Sequence, residues 1–265
     1  MYLYNIIKCF SKLTTKTNQI RPNIFILDFK IAQAFIITFE NNWILVDTGL
    51  ESSGKYIIKK ANKLFNGKPP KCIILTHGHF DHIGSIKQLI EKWDVAVYAH
   101  CNEIPYLNGQ KDYKKPDPSV GGGLVSKMSF SFPHEGINIK NNLLPLPDDF
   151  SIPYLKNWKW LHTPGHTEGH ISLFDEEEKI LIAGDAFTSL TQESLFSVIT
   201  KKENINTPPK YFTTNWDDAF NSIKKIRELK PNLALLSHGK PIAGIELKKH
   251  LDYLINHFPK VYTTK

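Results

Sequence analysis

The sequence predicts a layered α/β protein in which helices pack against β-sheet. Apolar runs rich in β-branched residues alternate with segments whose apolar residues recur at helical spacing, and this alternation is typical of α/β layers. The 265 residues and the hydrophobic content of 41% allow a large buried core. The length suits one large domain or two fused halves.

The first half of the chain is predicted to begin with strands and to continue with strand–helix units. The runs NIFILDF and AFIITF indicate consecutive strands, and WILVDTGL indicates a strand that ends on Asp47. A helix follows, which Ser53 can cap and which Asn66 and Gly67 end. Asp47 is either a turn residue or a carboxylate that accepts the ring N–H of a metal-binding histidine.

The stretch LTHGHFDHIG, residues 75–84, carries three histidines and an aspartate within six positions. A strand-forming run precedes it and apolar residues at helical spacing follow, so the cluster is predicted on a strand-to-helix turn. His77 and His79 can point the same way, whereas Asp81 and His82 turn with the helix toward a second centre. One short loop can therefore supply ligands to two metal ions. Imidazole and carboxylate ligands together suit zinc, iron or manganese.

Three further histidines compete for one ligand position within the run NWKWLHTPGHTEGHISLF. His162 lies in a predicted strand and His170 begins the next, whereas His166 occupies the loop between them and can lean over the sheet edge. We therefore predict His166 as the ligand and His170 as its hydrogen-bonding neighbour. Two later strands, in KILIAGDAF and NLALLSHGKP, end on Asp185 and His238. A carboxylate at a buried strand end is costly without a counter-charge, which indicates a cation near Asp185.

Residues 108–153 lack regular periodicity and include three consecutive glycines at 121–123. Long irregular segments in compact domains are often functional. The segment is predicted as an insert, and two alternatives stay open, a lid over the metal loop or a mobile surface connection. Farther along, Thr214 and Asp217 resemble a capping box at the start of an amphipathic helix.

Composition and charge favour a cytoplasmic enzyme with a small-molecule substrate. The formal net charge is +7, but the lysines are spread along helices, which indicates solvated faces and argues against a nucleic-acid partner. Cys9, Cys72 and Cys101 have no paired spacing, which favours a reducing compartment over a disulfide framework. The opening run MYLYNIIKCFSK is too short for a secretory signal or a membrane span, so we expect no membrane association.

Taken together, HGHFDH, HTPGHTEGH, IAGDAF and LLSHG resemble the motifs of the metallo-β-lactamase superfamily across nearly the whole chain. The resemblance implies a four-layer αββα sandwich of two mixed β-sheets flanked by helices. It implies one domain over residues 1–265, made of two similar halves at about 21–150 and 151–258. It also implies a dinuclear metal site. One metal would be bound by His77, His79 and His166, the other by Asp81, His82 and His238, and Asp185 would bridge both. Asp47 would support these ligands without binding a metal itself.

The activity that the resemblance implies is metal-dependent hydrolysis. Two divalent ions are expected as cofactors, with zinc favoured over iron or manganese, and a metal can lower the pKa of bound water to about 7. The resulting hydroxide would attack an ester, lactone, thioester or amide bond, with Asp81 as the catalytic residue that orients it. Many β-lactamases of this fold carry cysteine where Asp185 stands, so antibiotic hydrolysis is less favoured.

Two other activities of the same fold remain as alternatives. Nucleases and phosphodiesterases use the same ligands, and the basic charge fits them, although no additional nucleic-acid-binding arm is evident. A mononuclear iron dioxygenase that acts on persulfides is the second alternative. A non-catalytic binding module is disfavoured because the full set of ligand residues is present.

Overall fold

The computed structural model describes residues 15–194, 196–197 and 205–263, with side chains of the last helix described to residue 258. The described residues fall into two compact units, the first within residues 1–113 and 133–146 and the second within residues 114–132 and 147–265. Cys9 and the opening run lie outside the described residues. The prediction of a single domain with halves meeting near residue 150 stays a prediction.

The first unit contains a seven-stranded mixed sheet with its strands in sequence order. Strands β1 to β4 pair antiparallel, and β4 to β7 pair parallel. The strands are β1 Lys16–Arg21, β2 Ile24–Asp28, β3 Gln33–Phe39, β4 Asn42–Val46, β5 Ile73–Ile74, β6 Val97–Ala99 and β7 Leu143–Pro145. Parallel neighbours end at the same edge of a sheet, so the ends of β4, β5 and β6 lie side by side.

Helices pack on this sheet through one apolar core. Ile57 and Ala61 of one helix and Ile86 and Leu89 of another join buried strand residues such as Leu45 in a single cluster. The helices and turns of this unit are α1 Gly54–Phe65, α2 Phe80–Ile83, α3 Ile86–Trp93, the 3₁₀ turn Cys101–Glu103 and α4 Ile104–Leu107.

Helix α1 ends at the predicted residue, but its N-terminus lacks the predicted cap. Asn66 adopts the left-handed conformation at its C-cap, with φ of 52°. The predicted cap at Ser53 is wrong, because its side chain makes no capping hydrogen bond and its own backbone is already helical, with φ of −78° and ψ of −25°.

The segment 108–153 is not one irregular insert. Residues 133–146 belong to the first unit and supply β7, whereas residues 114–132 belong to the second. It contains α5 Leu124–Lys127 and the 3₁₀ turn Ser129–Ser131, and it ends with β8 Ser151–Ile152. Strands of two or three residues are too short for a periodicity that sequence reading can detect. A lid role for the segment stays a prediction.

The second unit contains a six-stranded mixed sheet in the order β13-β12-β11-β10-β9-β8. Only the pairing of β11 with β12 is parallel among the described strands of this sheet. Its remaining strands are β9 Leu155–His162, β10 Ile171–Asp175, β11 Ile180–Ile182, β12 Leu233–Leu235 and β13 Ile242–Ala243. Lys210–Phe212 forms a 3₁₀ turn, and the long helices are α6 Trp216–Glu228 and α7 Gly244–Thr263.

Both long helices of the second unit cover its sheet. Ile223 and Ile226 of α6 and Leu247 and Leu251 of α7 share one buried cluster with strand residues such as Leu181. Across the described residues, we find no helix whose length and apolar character would let it span a bilayer.

The cap of α6 lies one residue beyond the predicted position. Asn215 is the N-cap, and its side-chain oxygen accepts the backbone N–H groups of Asp217 and Asp218 at 3.1 and 3.2 Å. The predicted cap at Thr214 is wrong because its hydroxyl instead donates to the carbonyl oxygen of Gly165 at 3.1 Å. A contact distant in sequence has displaced the local one.

Replacing the cap residue tests this assignment. Asn215→Ala should lower the free energy of unfolding by about 1 kcal/mol, because two N–H groups lose their acceptor. Asn221→Ala, at an exposed site within α6, is the matched control and should be neutral or slightly stabilising, since alanine favours helix interiors. Urea denaturation measures both, and equal effects would contradict the assignment.

Candidate metal centre

The loop after β5 brings the four predicted ligands of the first unit together. The imidazole of His77 lies against those of His79 and His82, with ring centroids 4.7 and 4.0 Å apart. Asp81 Oδ1 lies 3.9 Å from His82 Nε2. The three histidines are at most 3% exposed, whereas the Asp81 side chain is 13% exposed. The loop therefore presents buried imidazoles and one carboxylate that solvent can reach.

Asp47 holds this loop from below through three hydrogen bonds. Its carboxylate accepts the Thr76 backbone N–H and the Thr76 hydroxyl, each at 2.8 Å. It also lies 2.9 Å from His82 Nδ1. A carboxylate accepts, so His82 Nδ1 carries the proton and Nε2 is the nitrogen with a lone pair for a metal. Of the two interpretations of Asp47, the supporting carboxylate matches this geometry.

In the second unit, three strand ends bring their predicted ligands together. Asp185 Oδ2 lies 3.4 Å from His166 Nε2 and 3.2 Å from His238 Nε2. His166 follows β9, Asp185 follows β11 and His238 follows β12. All three residues are at most 3% exposed. One carboxylate oxygen between two imidazole nitrogens is an arrangement that a shared cation would stabilise.

The three competing histidines have different surroundings. His162 Nε2 bonds the carbonyl oxygen of Glu168 at 2.9 Å, outside the cluster. His170 is fully buried, and its Nε2 accepts the backbone N–H of Asp185 at 2.8 Å. Its Nδ1 donates to the carbonyl oxygen of Thr163 at 2.9 Å. His166 therefore reaches the Asp185 carboxylate. His170 bonds the backbone of Asp185 and of Thr163, and its predicted hydrogen bond to His166 stays a prediction.

Glycine at position 184 permits this contact with His170. Gly184 has a φ of +58°, a conformation that other residues adopt at a cost. A Cβ atom there would also lie only 2.5 Å from His170 Nε2. The glycine before Asp185 in IAGDAF is thus required by both backbone conformation and packing.

Two residues that sequence reasoning missed contact the histidine loop. Glu103 is fully buried and accepts the backbone N–H of Gly78 at 3.0 Å. Tyr113 donates its hydroxyl to Glu103 and lies edge-on to the His79 ring at 4.8 Å. Burial, and then the charge of Glu103 and the hydrogen bond to it, raise the pKa of Tyr113 well above its usual value. The phenol therefore stays protonated and acts as a donor.

A cavity of about 560 Å³ lies beside His79 within the first unit. Its walls include Phe80, Tyr113 and Ile137, which are apolar or aromatic, and the polar residues Lys87 and His134. Pockets of roughly 300–1,000 Å³ with apolar walls and a few polar groups are typical of small-molecule sites.

Comparison with known proteins extends these observations. The model of the metallo-beta-lactamase superfamily matches residues 27–238. YflN of Bacillus subtilis (strain 168), a probable metallo-hydrolase, is 40% identical over 239 residues, which are 89% of this chain and 90% of that relative. The hydroxyacylglutathione hydrolase GloC of Haemophilus influenzae is 30% identical over 146 residues, which are 55% of this chain and 61% of GloC.

A solved structure gives the same result for the fold. MEM-A1, a subclass B3 metallo-beta-lactamase from a soil metagenome library, superposes with a TM-score of 0.65 at 18% identity. The match covers 93% of this chain and 95% of MEM-A1. At this identity the likeness shows the fold alone, and with the two mixed sheets and their helices it confirms the predicted fold class.

The residues of both units fit this family. Histidine and aspartate side chains are the groups through which the superfamily binds divalent metals, and each unit brings residues of these types close together. The family model matches most of the chain, including all seven predicted ligands. The chain belongs to the metallo-beta-lactamase superfamily, a superfamily of metallo-hydrolases.

Proposed function

We propose that the seven predicted ligands form one dinuclear metal centre, and that the protein hydrolyses an ester, lactone, thioester or amide bond of a small molecule. The observation that carries the proposal is the position of the Asp185 carboxylate oxygen, 3.4 Å from His166 and 3.2 Å from His238. A buried carboxylate that shares one oxygen between two imidazoles is suited to bridging two cations. His77, His79 and His166 would hold one ion, and Asp81, His82 and His238 the other.

The chemistry of the ligand atoms fits divalent ions of the zinc type. Metal-binding histidines commonly donate their second ring N–H to a carboxylate or carbonyl, which fixes the ring and its tautomer. His82 makes this bond to Asp47 at 2.9 Å. Five imidazoles with two carboxylates favour zinc, and iron and manganese are the alternatives.

Asp81 and the net charge of the site have separate tasks in the proposed reaction. Bound metal ions would supply a water molecule that loses its proton near neutral pH. Asp81, the more exposed of the two carboxylates, would orient this nucleophile. Asp81 and Asp185 carry two negative charges, and neutral imidazoles carry none. Two divalent ions would then leave the ligand set an excess charge of +2, which would hold the hydroxide, and a metal ion would stabilise the oxyanion of the attacked carbonyl.

The cavity beside His79 supports a small substrate with an apolar portion. Its volume of about 560 Å³ suits an acyl or aryl group, and Phe80 and Ile137 supply apolar contacts. GloC, by its name, hydrolyses a glutathione thioester. We therefore place thioesters first among the candidate substrates, and we place the reaction in the cytoplasm, where Cys72 and Cys101 would remain the free thiols that they are in the structure.

Metal analysis tests the centre directly. The purified protein should contain two divalent ions per chain by elemental analysis, and a chelator should remove both the ions and the hydrolysis of a thioester or lactone. Zinc should restore activity, because the nucleophile depends on the metal. Full hydrolysis by metal-free protein would contradict the proposal, as would oxygen consumption with a persulfide or cleavage of RNA in place of carbonyl hydrolysis.

Substitution of the shared ligand tests its role. Asp185→Ala should remove metal and lower kcat/KM by at least about 100-fold, because both ions lose a ligand. His257→Ala is the matched control, since His257 bonds the Tyr253 carbonyl oxygen on α7 at 2.9 Å. The control should keep metal content and activity. An Asp185→Ala protein with two ions and normal activity would refute the bridging role.

A further inference from the structure

A buried carboxylate lies at the end of β6, outside the predicted set of ligands. Glu103 ends the 3₁₀ turn Cys101–Glu103 and is fully buried. His100 caps this turn, because its Nδ1 accepts the backbone N–H of Asn102 at 3.2 Å. Burying a carboxylate is costly unless hydrogen bonds compensate. The hydrogen-bond partners of Glu103 therefore indicate which part of the structure this buried carboxylate stabilises.

Two donors to Glu103 belong to the surroundings of the histidine loop. Glu103 Oε2 accepts the backbone N–H of Gly78 at 3.0 Å and the hydroxyl of Tyr113. Gly78 is the residue between His77 and His79, so the carboxylate fixes the peptide that joins two predicted ligands. Hydrogen bonds to an ionised carboxylate are stronger than neutral ones.

Tyr113 connects the same carboxylate to an imidazole. Its ring stacks on Tyr106, with centroids 4.0 Å apart and planes 10° apart, and contacts the His79 ring edge-on at 4.8 Å. Its backbone N–H donates to the carbonyl oxygen of His134 at 2.9 Å. Tyr113 is therefore held by its hydroxyl, its ring face and its backbone N–H. Because the ring is fixed in this way, its contact with His79 restricts the orientation of that imidazole.

The approach of Tyr113 explains why glycine separates the two histidines. A Cβ atom at Gly78 would collide with the Tyr113 hydroxyl and would lie 3.2 Å from Leu107 Cδ2. The backbone of Gly78 has no positive φ, so close contact with Tyr113 is the reason for glycine there. The glycine between His77 and His79 thus leaves the space that Tyr113 needs to bond Glu103.

We propose that Glu103 and Tyr113 are positioning residues that set the geometry of His77 and His79 for metal binding. The inference rests on the proposed function, because it requires that these histidines bind a metal. Glu103 holds the peptide between them, and Tyr113 holds the ring of His79. Groups that orient metal ligands in this way typically contribute 10–100-fold to metal affinity.

The chain offers a matched control for the loss of a buried carboxylate. Asp175 ends β10 and is 5% exposed, and its Oδ1 accepts the backbone N–H groups of Glu177 and Glu178 at 3.0 and 3.1 Å. This turn contains no predicted ligand. Glu103→Gln and Asp175→Asn therefore make the same change, carboxylate to carboxamide, in two buried sites, only one of which contacts the histidine loop.

Cobalt binding separates positioning from simple stability. We would load wild type, Glu103→Gln, Tyr113→Phe, the double variant and Asp175→Asn with Co²⁺. The dissociation constants come from competition with a chelator, and the visible spectrum reports ligand geometry. Glu103→Gln should weaken cobalt binding about 10-fold or more and change the spectrum. Tyr113→Phe should do the same to a smaller extent, and the double variant should lose less than the product of the single losses, since the two residues share one hydrogen bond.

Each other outcome has a defined meaning. If wild type binds two Co²⁺ ions and Glu103→Gln or Tyr113→Phe matches it in affinity and spectrum, the positioning role is wrong and the proposed function stands. If Asp175→Asn weakens cobalt binding as much as Glu103→Gln does, the effect is general destabilisation and the inference is again wrong. If Glu103→Gln does not fold, Tyr113→Phe decides. If wild type binds no cobalt, the proposed function itself fails.

Discussion

The bond between Asp47 and His82 is the interaction on which the first cluster of predicted ligands depends. An imidazole can bind a metal only through a nitrogen with a lone pair, and the carboxylate decides which nitrogen that is. Asp47 is fully buried with a φ of +59°, so the strand β4 ends in a conformation that most residues avoid. Three hydrogen bonds, two of them from Thr76, offset this cost and join the ends of β4 and β5.

The second unit solves the same problem with a neutral group. His170 holds the backbone N–H of Asp185 with one nitrogen and the Thr163 carbonyl oxygen with the other, which fixes a single neutral tautomer. The Ser172 hydroxyl links the two segments, because it bonds the Thr163 hydroxyl at 3.0 Å and donates to the carbonyl oxygen of Ala183 at 2.9 Å. In both units, ligand-type residues stand at strand ends, and a layer of buried polar residues beneath them determines their orientation.

Errors in the sequence-based description arose where distant contacts replaced local ones. Threonine is a suitable residue for a helix cap, yet the Thr214 hydroxyl donates to the carbonyl oxygen of Gly165, 49 positions away in the chain. Glu103 lies in a short turn without periodicity, and its role depends on Gly78 and Tyr113. No spacing rule connects these three positions. The available signal for Glu103 was weaker than that for Asp47, because Glu103 lies four residues after the end of β6 and Asp47 directly follows β4.

The sequence alone determined the alternation of strands and helices, the fold family and the candidate ligands, because hydrophobic periodicity and clustered histidines are local properties of the chain. It also favoured His166 over His162 and His170, from its place in a loop. Only the tertiary structure decided which nitrogen of His82 carries the proton, that His170 bonds the backbone of Asp185, and that Glu103 lies behind Gly78. Each of these depends on the meeting of residues far apart in the chain, and packing of the folded chain is what brings them within hydrogen-bonding distance.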